Sequence, residues 1–348
     1  EIYQCDWSSD VCSSDLHYAV AVGKYVLKRI GLALVPVFLI TAAIFFMTHV
    51  LPGNPAERIL GNTAERANVE ALEKALGIDK PLLTQYWKWL SDTASGDLGG
   101  SIQFSVGAIG TENGTPVTEV LLPALGYSLR LAALAFIVVV PLSIAGGVLA
   151  GVNRGKRIDR ILTVGGLSAA VVPEFVWAVI LAFVVGVQLH WLPVNAYPDT
   201  PNPGFFTVIH HLILPAIALM LVLFGYISRI ARAGVIEAYD SDYVRTAVLK
   251  GLSQRKAVTR HILRNALLPT IAVVASQIPY LIGGLVAVEI VFNYPGFGGL
   301  LRTSVQYRDY PVLQASVLII GLVIVSVQLI ADVLFAVLNP RIRQKIEQ

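Results

Sequence analysis

Long apolar runs separated by polar stretches dominate this sequence. Six of the runs can cross a lipid bilayer as helices, because a membrane-spanning helix needs about 20 mostly apolar residues. They lie near residues 25–50, 127–151, 161–189, 209–228, 270–292 and 312–338. The run at 161–189 is long enough to tilt or to extend past the membrane. The pattern therefore predicts an all-α polytopic membrane protein with six transmembrane helices in a lipid bilayer.

The composition supports this fold class. The chain of 348 residues is 55% hydrophobic and only 14% charged, whereas a soluble domain carries about 25% charged residues. Length alone would allow two soluble domains, so it is the composition that argues against them.

The basic residues are spread unevenly among the polar stretches. With the N-terminus in the cytoplasm, 18 of the 26 lysines and arginines lie on the cytoplasmic side, as the positive-inside rule requires. Both termini, the loop at 152–160 and the stretch at 229–269 are then cytoplasmic. The net charge of +3 follows from this bias and gives no reason to expect a nucleic-acid partner.

The first sixteen residues differ from the rest of the chain. The segment EIYQCDWSSDVCSSDL is acidic and has no lysine or arginine, whereas the cytoplasmic end before a first span is normally basic. It resembles translated adapter sequence, so we expect residues 1–16 to be a non-native leader; a genuine disordered leader is the alternative. Its cysteines, Cys5 and Cys12, form neither a zinc motif nor a persuasive disulfide framework.

The segment 51–120 lies outside the cytoplasm in this orientation. Apolar residues at helical spacing between Ala56 and Leu90 predict two short helices, separated at Gly77–Pro81. Ser95–Pro116 is rich in glycine, serine and threonine and is typical of a loop. The segment is too small for an independent enzyme domain, so we expect a cap over the outer mouth of a pore or a platform for an outer partner.

The polar stretch 237–269 has the most distinctive pattern in the chain. From Asp242 onward the residues favour a helix, and Gly251 supplies the left-handed residue that commonly ends one. Ser253 can cap a second helix that runs to the end of the stretch. A helix–glycine–helix elbow that projects from a membrane domain indicates a docking surface for another protein.

This basic elbow has two other interpretations. A DNA-binding helix-turn-helix is disfavoured because the elbow is tethered between two spans and cannot easily enter a groove. Contact with anionic headgroups fits the charge as a secondary role. Neither explains Ala247 and Gly251 on one face, where small residues would let another protein pack closely.

No nucleotide site is readable in the sequence. A phosphate-binding loop needs Gly-Lys followed by Ser or Thr, and the pairs Gly23-Lys24 and Gly155-Lys156 are followed by tyrosine and arginine. We therefore expect no cofactor and no catalytic residue in this chain. Any ATP would act through a partner.

Glu174 lies in the third run, beside Pro173. An ionisable group at that depth costs several kcal/mol unless it faces water or a partner. It either lines a pore, where it contacts substrate or gates the path, or it is a protonated or hydrogen-bonded residue that fills the break left by the proline. Both interpretations stay open. The pore candidates are Glu174 and Trp177.

The remaining titratable residues of the runs predict structural roles. Glu289 is expected to order the loop that follows it, and Asp332 to pair with a lysine or arginine at the membrane interface. Four histidines fall near the outer face, but no cysteine or acidic cluster accompanies them, so we expect no metal site. They are His49, His190, His210 and His211.

The segment YVRTAVLKGLSQRKAVTRHILRNALLP resembles the cytoplasmic loop of binding-protein-dependent ABC importer permeases of the dipeptide, oligopeptide and nickel subfamily. The general family pattern is Glu-Ala-Ala, three residues, Gly, and a spacer that ends in Leu-Pro. Its first four positions are occupied here by Arg245, Thr246, Ala247 and Gly251. Arg245 replaces the glutamate, and the spacer at 252–267 is longer; both look like features of the peptide and nickel branch.

Other blocks of the chain agree with this subfamily in the same order, from about residue 22 to the C-terminus. They are LGIDKPLLTQYWKWL (76–90), GDLGGS (96–101), VPEFVW (172–177), VEIVFNYPGFGGLL (288–301), RDYP (308–311) and NPRIR (339–343). Each block alone is weak, whereas the ordered set is specific.

The resemblance implies a type I ABC importer permease with both termini in the cytoplasm and a transmembrane domain at 22–348. A second homologous permease subunit would complete the pore, and two ATPase subunits would each receive an elbow. An extracytoplasmic substrate-binding protein would meet 51–120 and 293–311. The implied ATPase-coupling residues are Tyr243, Arg245, Thr246, Ala247, Lys250, Gly251, Leu252 and Ser253.

The resemblance further implies uptake of dipeptides or oligopeptides across the cytoplasmic membrane of a bacterium or archaeon. Permeases for nickel, glutathione or peptide conjugates are the alternatives within the family. A secondary transporter would need an inverted repeat and ion-coupling acidic residues in the spans, and no clear repeat is readable. A membrane-embedded enzyme would need a paired His/Asp or Ser/Lys constellation, which the runs lack.

Overall fold

The computed structural model describes residues 7–50, 65–101, 103, 115–200, 202–251, 253 and 263–338, with side chains described from residue 27 onward. Within these ranges the structure is mostly helical, with turns and loops between the helices, two strands of two residues each and one π-helix, Ala182–Gln188. The helices are α1 (Trp7–Val50), α2 (Arg66–Leu76), α3 (Leu82–Ala94), α4 (Val117–Val152), α5 (Arg157–Val171), α6 (Glu174–Leu181), α7 (Phe205–Tyr239), α8 (Asp242–Leu249), α9 (Leu263–Val291), α10 (Phe297–Tyr307) and α11 (Tyr310–Leu338). The strands are β1 (Gly100–Ser101) and β2 (Thr115–Pro116).

Five of these helices, α1, α4, α7, α9 and α11, contain stretches long and apolar enough to cross a membrane. Helix α5 and the segment Glu174–Gln188, which is α6 continued by the π-helix, pass the same test together as one broken span, bent by 100°. The six predicted spans are thus confirmed when the bent pair counts as one. The sequence predicted the third span as a single run, and the structure divides it because Pro173 cannot continue a helix.

The chain forms two compact units. The first contains residues up to 35, 130–293 and those from 324 onward, and the second contains 36–129 and 294–323. The helices α1, α4 and α11 contribute residues to both.

Helix α7 is the centre of the first unit, where it packs against α5, α6 and α9. Half of its apolar window is buried, against 17–33% for the other four spans. Glycines allow these close approaches, because a side chain at Gly225 of α7 would overlap the backbone of Gly166 in α5. Large apolar side chains such as Ile137 and Phe206 point outward, as a lipid-facing surface requires.

The second unit has its core where α4, α10 and α11 meet. The buried residues of this core are Val117, Leu121, Ala124, Phe297, Leu300, Val312 and Ala315. Separately, the Tyr86 side chain of α3 packs on the ring of Phe45 in α1, 5.3 Å between centroids, and its hydroxyl lies 2.9 Å from Thr41 Oγ1. The short helix α3 is therefore fixed to the first span.

The two short helices predicted between Ala56 and Leu90 are confirmed as α2 and α3. Gly77 takes a left-handed conformation, φ +70°, at the break between them. The loop predicted at Ser95–Pro116 is not wholly irregular, because β1 and β2 pair antiparallel within it. Asp309 reinforces this pair by accepting hydrogen bonds from the Ser101 hydroxyl at 2.6 Å and the Gln103 amide at 3.1 Å.

The membrane-embedded acids behave in different ways. Asp332 forms a salt bridge with Arg29 at 3.0 Å, which confirms the predicted pairing. Glu289 is fully buried in α9. Residues 1–6 of the predicted leader, and most of the second helix predicted after Ser253, lie outside the described residues, while residues 7–16 form the start of α1. The leader assignment stays a prediction.

Candidate functional site

The predicted elbow begins where α7 ends. Asp240 and Ser241 separate the two helices. The backbone carbonyl of Ser241 accepts the amides of Val244 and Arg245 at 3.2 Å, which starts the first turn of α8. After Lys250, Gly251 takes a left-handed conformation with φ +84°. The local sequence explains this stop, because an L-residue with a side chain adopts that conformation only at a cost.

One buried residue fixes α8 to the rest of the first unit. The Val244 side chain is 3% exposed and clusters with Val235 and Ala238 of α7 and Ala266 of α9. A close approach between Gly234 of α7 and the backbone at Ala266 brings the two longer helices together here. The elbow is thus anchored to two spans, α7 and α9.

The remaining described side chains of the elbow face solvent. Arg245, Thr246, Lys250 and Ser253 are exposed, and Leu249 is 82% exposed. Sequence reasoning missed Leu249, although Val244 and Leu249, five residues apart, must lie on nearly opposite sides of a helix. Leu252 lies outside the described residues, as do the side chains of Tyr243 and Ala247. Leu249 thus forms an apolar tip on a helix whose other described outward-facing side chains are polar or charged.

An ion pair between the buried Asp159 and the partly buried Arg232 joins α5 to α7. Asp159, in the first turn of α5, accepts Arg232 Nε at 2.6 Å and Nη2 at 2.9 Å. It also accepts the Gly155 amide at 2.9 Å and the Thr163 hydroxyl at 3.1 Å. The bidentate geometry is the strongest arrangement for an arginine and a carboxylate. Sequence reasoning missed this pair, because nothing local links residues that are 73 positions apart.

A second, exposed ion pair joins the loop between α4 and α5 to the end of α7. Arg154 Nη1 lies 3.2 Å from Asp240 Oδ2, and both side chains are more than 60% exposed. Such a pair contributes little to stability, since water screens it. It does show that the loop after α4 reaches the start of the elbow.

The other candidate site is the break at Pro173. Val172 and Pro173 are extended, and α6 starts at Glu174. The break leaves a carbonyl of α5 without its helical partner, and Trp177 Nε1 donates to Ala169 O at 2.9 Å. Trp177, rather than Glu174, thus contacts the backbone freed by the proline.

Glu174 contacts α9 instead. Its Oε2 accepts the Tyr280 hydroxyl at 3.2 Å, and Gly284 leaves room for its side chain, since a Cβ there would lie 2.6 Å from Oε1. The carboxylate is half-buried, and the first turn of α6 favours its charge. The arrangement provides a carboxyl group within the broken span, held by a hydrogen bond.

The structure keeps the two sets of predicted residues apart. The elbow residues lie together at the end of α7, and Glu174 and Trp177 lie together at the break. Helix α5 runs between them, spanning about 18 Å from Asp159 to Val171 at 1.5 Å per residue. Among the described residues, no three His, Cys, Asp or Glu side chains are grouped closely enough to hold a metal ion.

Comparison with known proteins identifies the family. The family model for the inner membrane component of binding-protein-dependent transport systems matches residues 143–344, more than half of the chain. The N-terminal model for the membrane component of such systems matches residues 22–132.

Curated relatives match along nearly their whole length. The glutathione transport system permease protein GsiC of Escherichia coli O6:H1 is 35% identical over 323 residues, 92% of this chain and 99% of the relative. The same protein from E. coli K12 and from Shigella dysenteriae serotype 1 is 34% identical with the same coverage. A crystal structure of an amino acid ABC transporter with histidines shares 18% identity at a TM-score of 0.48, over 64% of this chain and 94% of its own. The chain belongs to the inner membrane components of binding-protein-dependent transport systems, and it is a permease subunit of an ABC importer.

Proposed function

We propose that this permease pairs with a second homologous permease subunit to form the path by which short peptides, glutathione among them, enter the cytoplasm of a bacterium or archaeon. The observation that carries the proposal is the elbow: a short helix held by one buried valine, with an apolar and basic face left open. Such a surface suits a cleft on a separate ATPase subunit.

The energy for transport then comes from two ATPase subunits. The coupling surface comprises the eight residues implied by the resemblance, from Tyr243 to Ser253, together with Leu249. Movement of the ATPases on ATP binding would displace α8 and, through Val244, the ends of α7 and α9. An extracytoplasmic binding protein would deliver substrate to 51–120 and 293–311.

The substrate class is supported by the relatives. Three of them carry the name of a glutathione transport permease, and glutathione is a tripeptide with one unusual linkage. Within the pore, Glu174 offers a carboxylate that would attract the positively charged amino group of a peptide, and Trp177 lies one turn away. Nickel complexes and peptide conjugates are the rival substrates.

The assay that tests the substrate uses the reconstituted transporter with its binding protein. We expect ATP-dependent uptake of labelled short peptides into proteoliposomes, with glutathione as substrate or competitor. Uptake of a nickel chelate, unaffected by excess peptide, would instead favour the nickel alternative. No ATP-dependent uptake of any of these would contradict the proposed function.

Substitution of Leu249 by aspartate tests the docking surface. Because the side chain is 82% exposed, the fold should keep its stability within about 0.5 kcal/mol. Covering a leucine contributes about 1.5–3 kcal/mol, so binding to the ATPase subunits should weaken roughly tenfold or more. Co-purification of the ATPase subunits measures this. Leu83→Asp, at another exposed leucine on α3, 64% exposed, is the control and should retain them; equal retention by both variants would argue against the elbow.

Glu174→Gln separates the two interpretations of this residue. If the carboxylate lines the path, uptake per assembled transporter should fall by roughly tenfold, the value of one charge-assisted hydrogen bond. Assembly and thermal stability should stay close to those of the native protein. Tyr280→Phe removes the donor but keeps the charge, so its effect should be smaller. Lower stability with unchanged uptake per assembled transporter would assign Glu174 a purely structural role.

A further inference from the structure

The Asp159–Arg232 ion pair belongs to neither candidate site, yet it lies between them. We propose that this pair is the joint through which displacement of the elbow reaches the broken span, so that it couples ATP hydrolysis to substrate movement. The inference rests on the proposed function and adds two positioning residues to it. Neither residue touches the substrate or the ATPase.

The pair forms a rigid contact. Asp159 is 5% exposed, and its two oxygens accept four hydrogen bonds, two of them from Arg232. A carboxylate offers about four acceptor positions, so this one is saturated. Because the guanidinium is planar and bound at two points, rotation of α5 against α7 would break at least one bond.

On one side, the pair is connected to the elbow. Arg232 lies seven residues before the end of α7 at Tyr239, about 10 Å along a continuous helix, and α8 begins three residues after that end, at Asp242. Val235 and Ala238, in the same stretch, hold Val244 of α8. A displacement of α8 therefore moves the part of α7 that carries Arg232.

On the other side, the pair is connected to the break. Asp159 lies in the first turn of α5, and the last turn of α5 ends at Val171, directly before the extended residues Val172 and Pro173. Helix α5 transmits a displacement along its length because its backbone is hydrogen-bonded throughout. The extended residues allow α5 to change its angle to α6, where Glu174 and Trp177 lie.

The helices pack closely beside the pair. A small cleft lies where α4, α5 and α7 meet, and Arg232 lines it. Several of its other lining residues are small or polar: Gly146, Gly147, Ala150, Thr163 and Ser228. A Cβ at Gly147 would lie 2.5 Å from the backbone oxygen of Ser228, so α4 and α7 are in close contact beside the ion pair. The contact between α5 and α7 at this end is therefore polar and directional, which suits a joint with discrete arrangements.

The experiment compares ATP hydrolysis with peptide uptake in the complete transporter, reconstituted with both permeases, both ATPases and the binding protein. We expect Asp159→Asn to keep ATP hydrolysis near that of the native complex and to lower the peptide taken up per ATP by roughly tenfold. A residue needed only for stability would lower both activities in proportion to the amount of assembled complex.

Two further variants sharpen the result. Arg154→Gln removes a positive charge from the exposed Arg154–Asp240 pair nearby, and it should leave the ratio of uptake to hydrolysis unchanged. Arg232→Lys keeps the charge but loses the two-point contact, so its ratio should lie between those of the native protein and Asp159→Asn. It also replaces Asp159→Asn if that variant fails to assemble.

Three outcomes would overturn the proposal: a native ratio in Asp159→Asn, a parallel loss of hydrolysis and uptake, or failure of both Asp159→Asn and Arg232→Lys to assemble. Failure of both variants to assemble would mean that the ion pair is needed for folding. Failure of the proposed function is recognised separately, because the native complex itself would then import no peptide.

Discussion

Replacing Gly251 by valine is expected to lower ATP-dependent uptake by roughly tenfold, because the elbow can no longer end α8 in its native conformation. Gly251 has φ +84°, and an L-residue pays about 1–2 kcal/mol for a left-handed conformation. A β-branched residue is a particular outlier there. Since 1.4 kcal/mol is a factor of ten in affinity, docking on the ATPase should weaken by about that factor.

The expected effect of Gly251→Val comes from strain in the backbone conformation and not from steric crowding of the new side chain. A Cβ at Gly251 would meet no atom within 4 Å, so a residue that tolerates the left-handed conformation should be accepted. Gly251→Asn is therefore the matched control and is expected to keep most of the uptake. Gly96→Val provides the same kind of strain outside the elbow, at φ +93° with open space, and should leave ATPase binding unchanged.

Co-purification of the ATPase subunits and uptake into proteoliposomes measure the outcome. Loss of both in Gly251→Val, with retention in Gly251→Asn, would support the elbow as the coupling element. Assembly and transport at the native level in Gly251→Val would contradict that assignment.

Replacing Gly225 by alanine is expected to destabilise the fold by about 1–3 kcal/mol or more, the usual range for overpacking. A Cβ at this position would overlap the backbone carbonyl of Gly166 and lie 2.9 Å from the Cβ of Ala170. Backbone atoms cannot turn aside as a flexible side chain can. Helices α5 and α7 would have to separate, and the bidentate Asp159–Arg232 contact would stretch with them.

Gly165→Ala is the matched control for this prediction. Gly165 lies on the same helix as Gly166, is exposed, and has nothing within 4 Å of an added Cβ. Since alanine has the better helix propensity by up to about 1 kcal/mol, this variant should be neutral or slightly stabilised. Thermal unfolding in detergent, followed by the fraction that stays monodisperse, compares the two. Equal midpoints for both variants would show that α5 and α7 are not in backbone contact.

The break at Pro173 shows how far local chemistry reaches. The proline and the acid beside it predicted a kink in the third run, and the structure has a 100° bend there. The sequence left the role of Glu174 open between a pore group and a filler of the break. In the structure the two candidate residues have different hydrogen-bond partners. Trp177 donates to the Ala169 carbonyl that the proline frees, whereas Glu174 accepts from Tyr280, which is 106 residues away. Contacts at that separation have no local signal.

For the elbow, too, local sequence predicts some features and tertiary packing decides others. Its helix, its glycine stop and its exposure follow from residues within a few positions of one another. The sequence does not distinguish Val244, which anchors the elbow, from Leu249, which forms its exposed apolar tip. That distinction depends on the positions of α7 and α9. Both are aliphatic, and only packing decides which of the two is buried.

The sequence by itself determined that this is a six-span helical membrane protein with a basic elbow, because bilayer thickness, charge asymmetry and glycine conformation each act on short stretches of chain. The tertiary structure decided which helices touch and what joins them. The glycine contacts of α7, the hydrogen bond to Glu174 and the Asp159–Arg232 pair each join residues dozens of positions apart. Their energies depend on the relative placement of whole helices, and no local stretch of sequence encodes that placement.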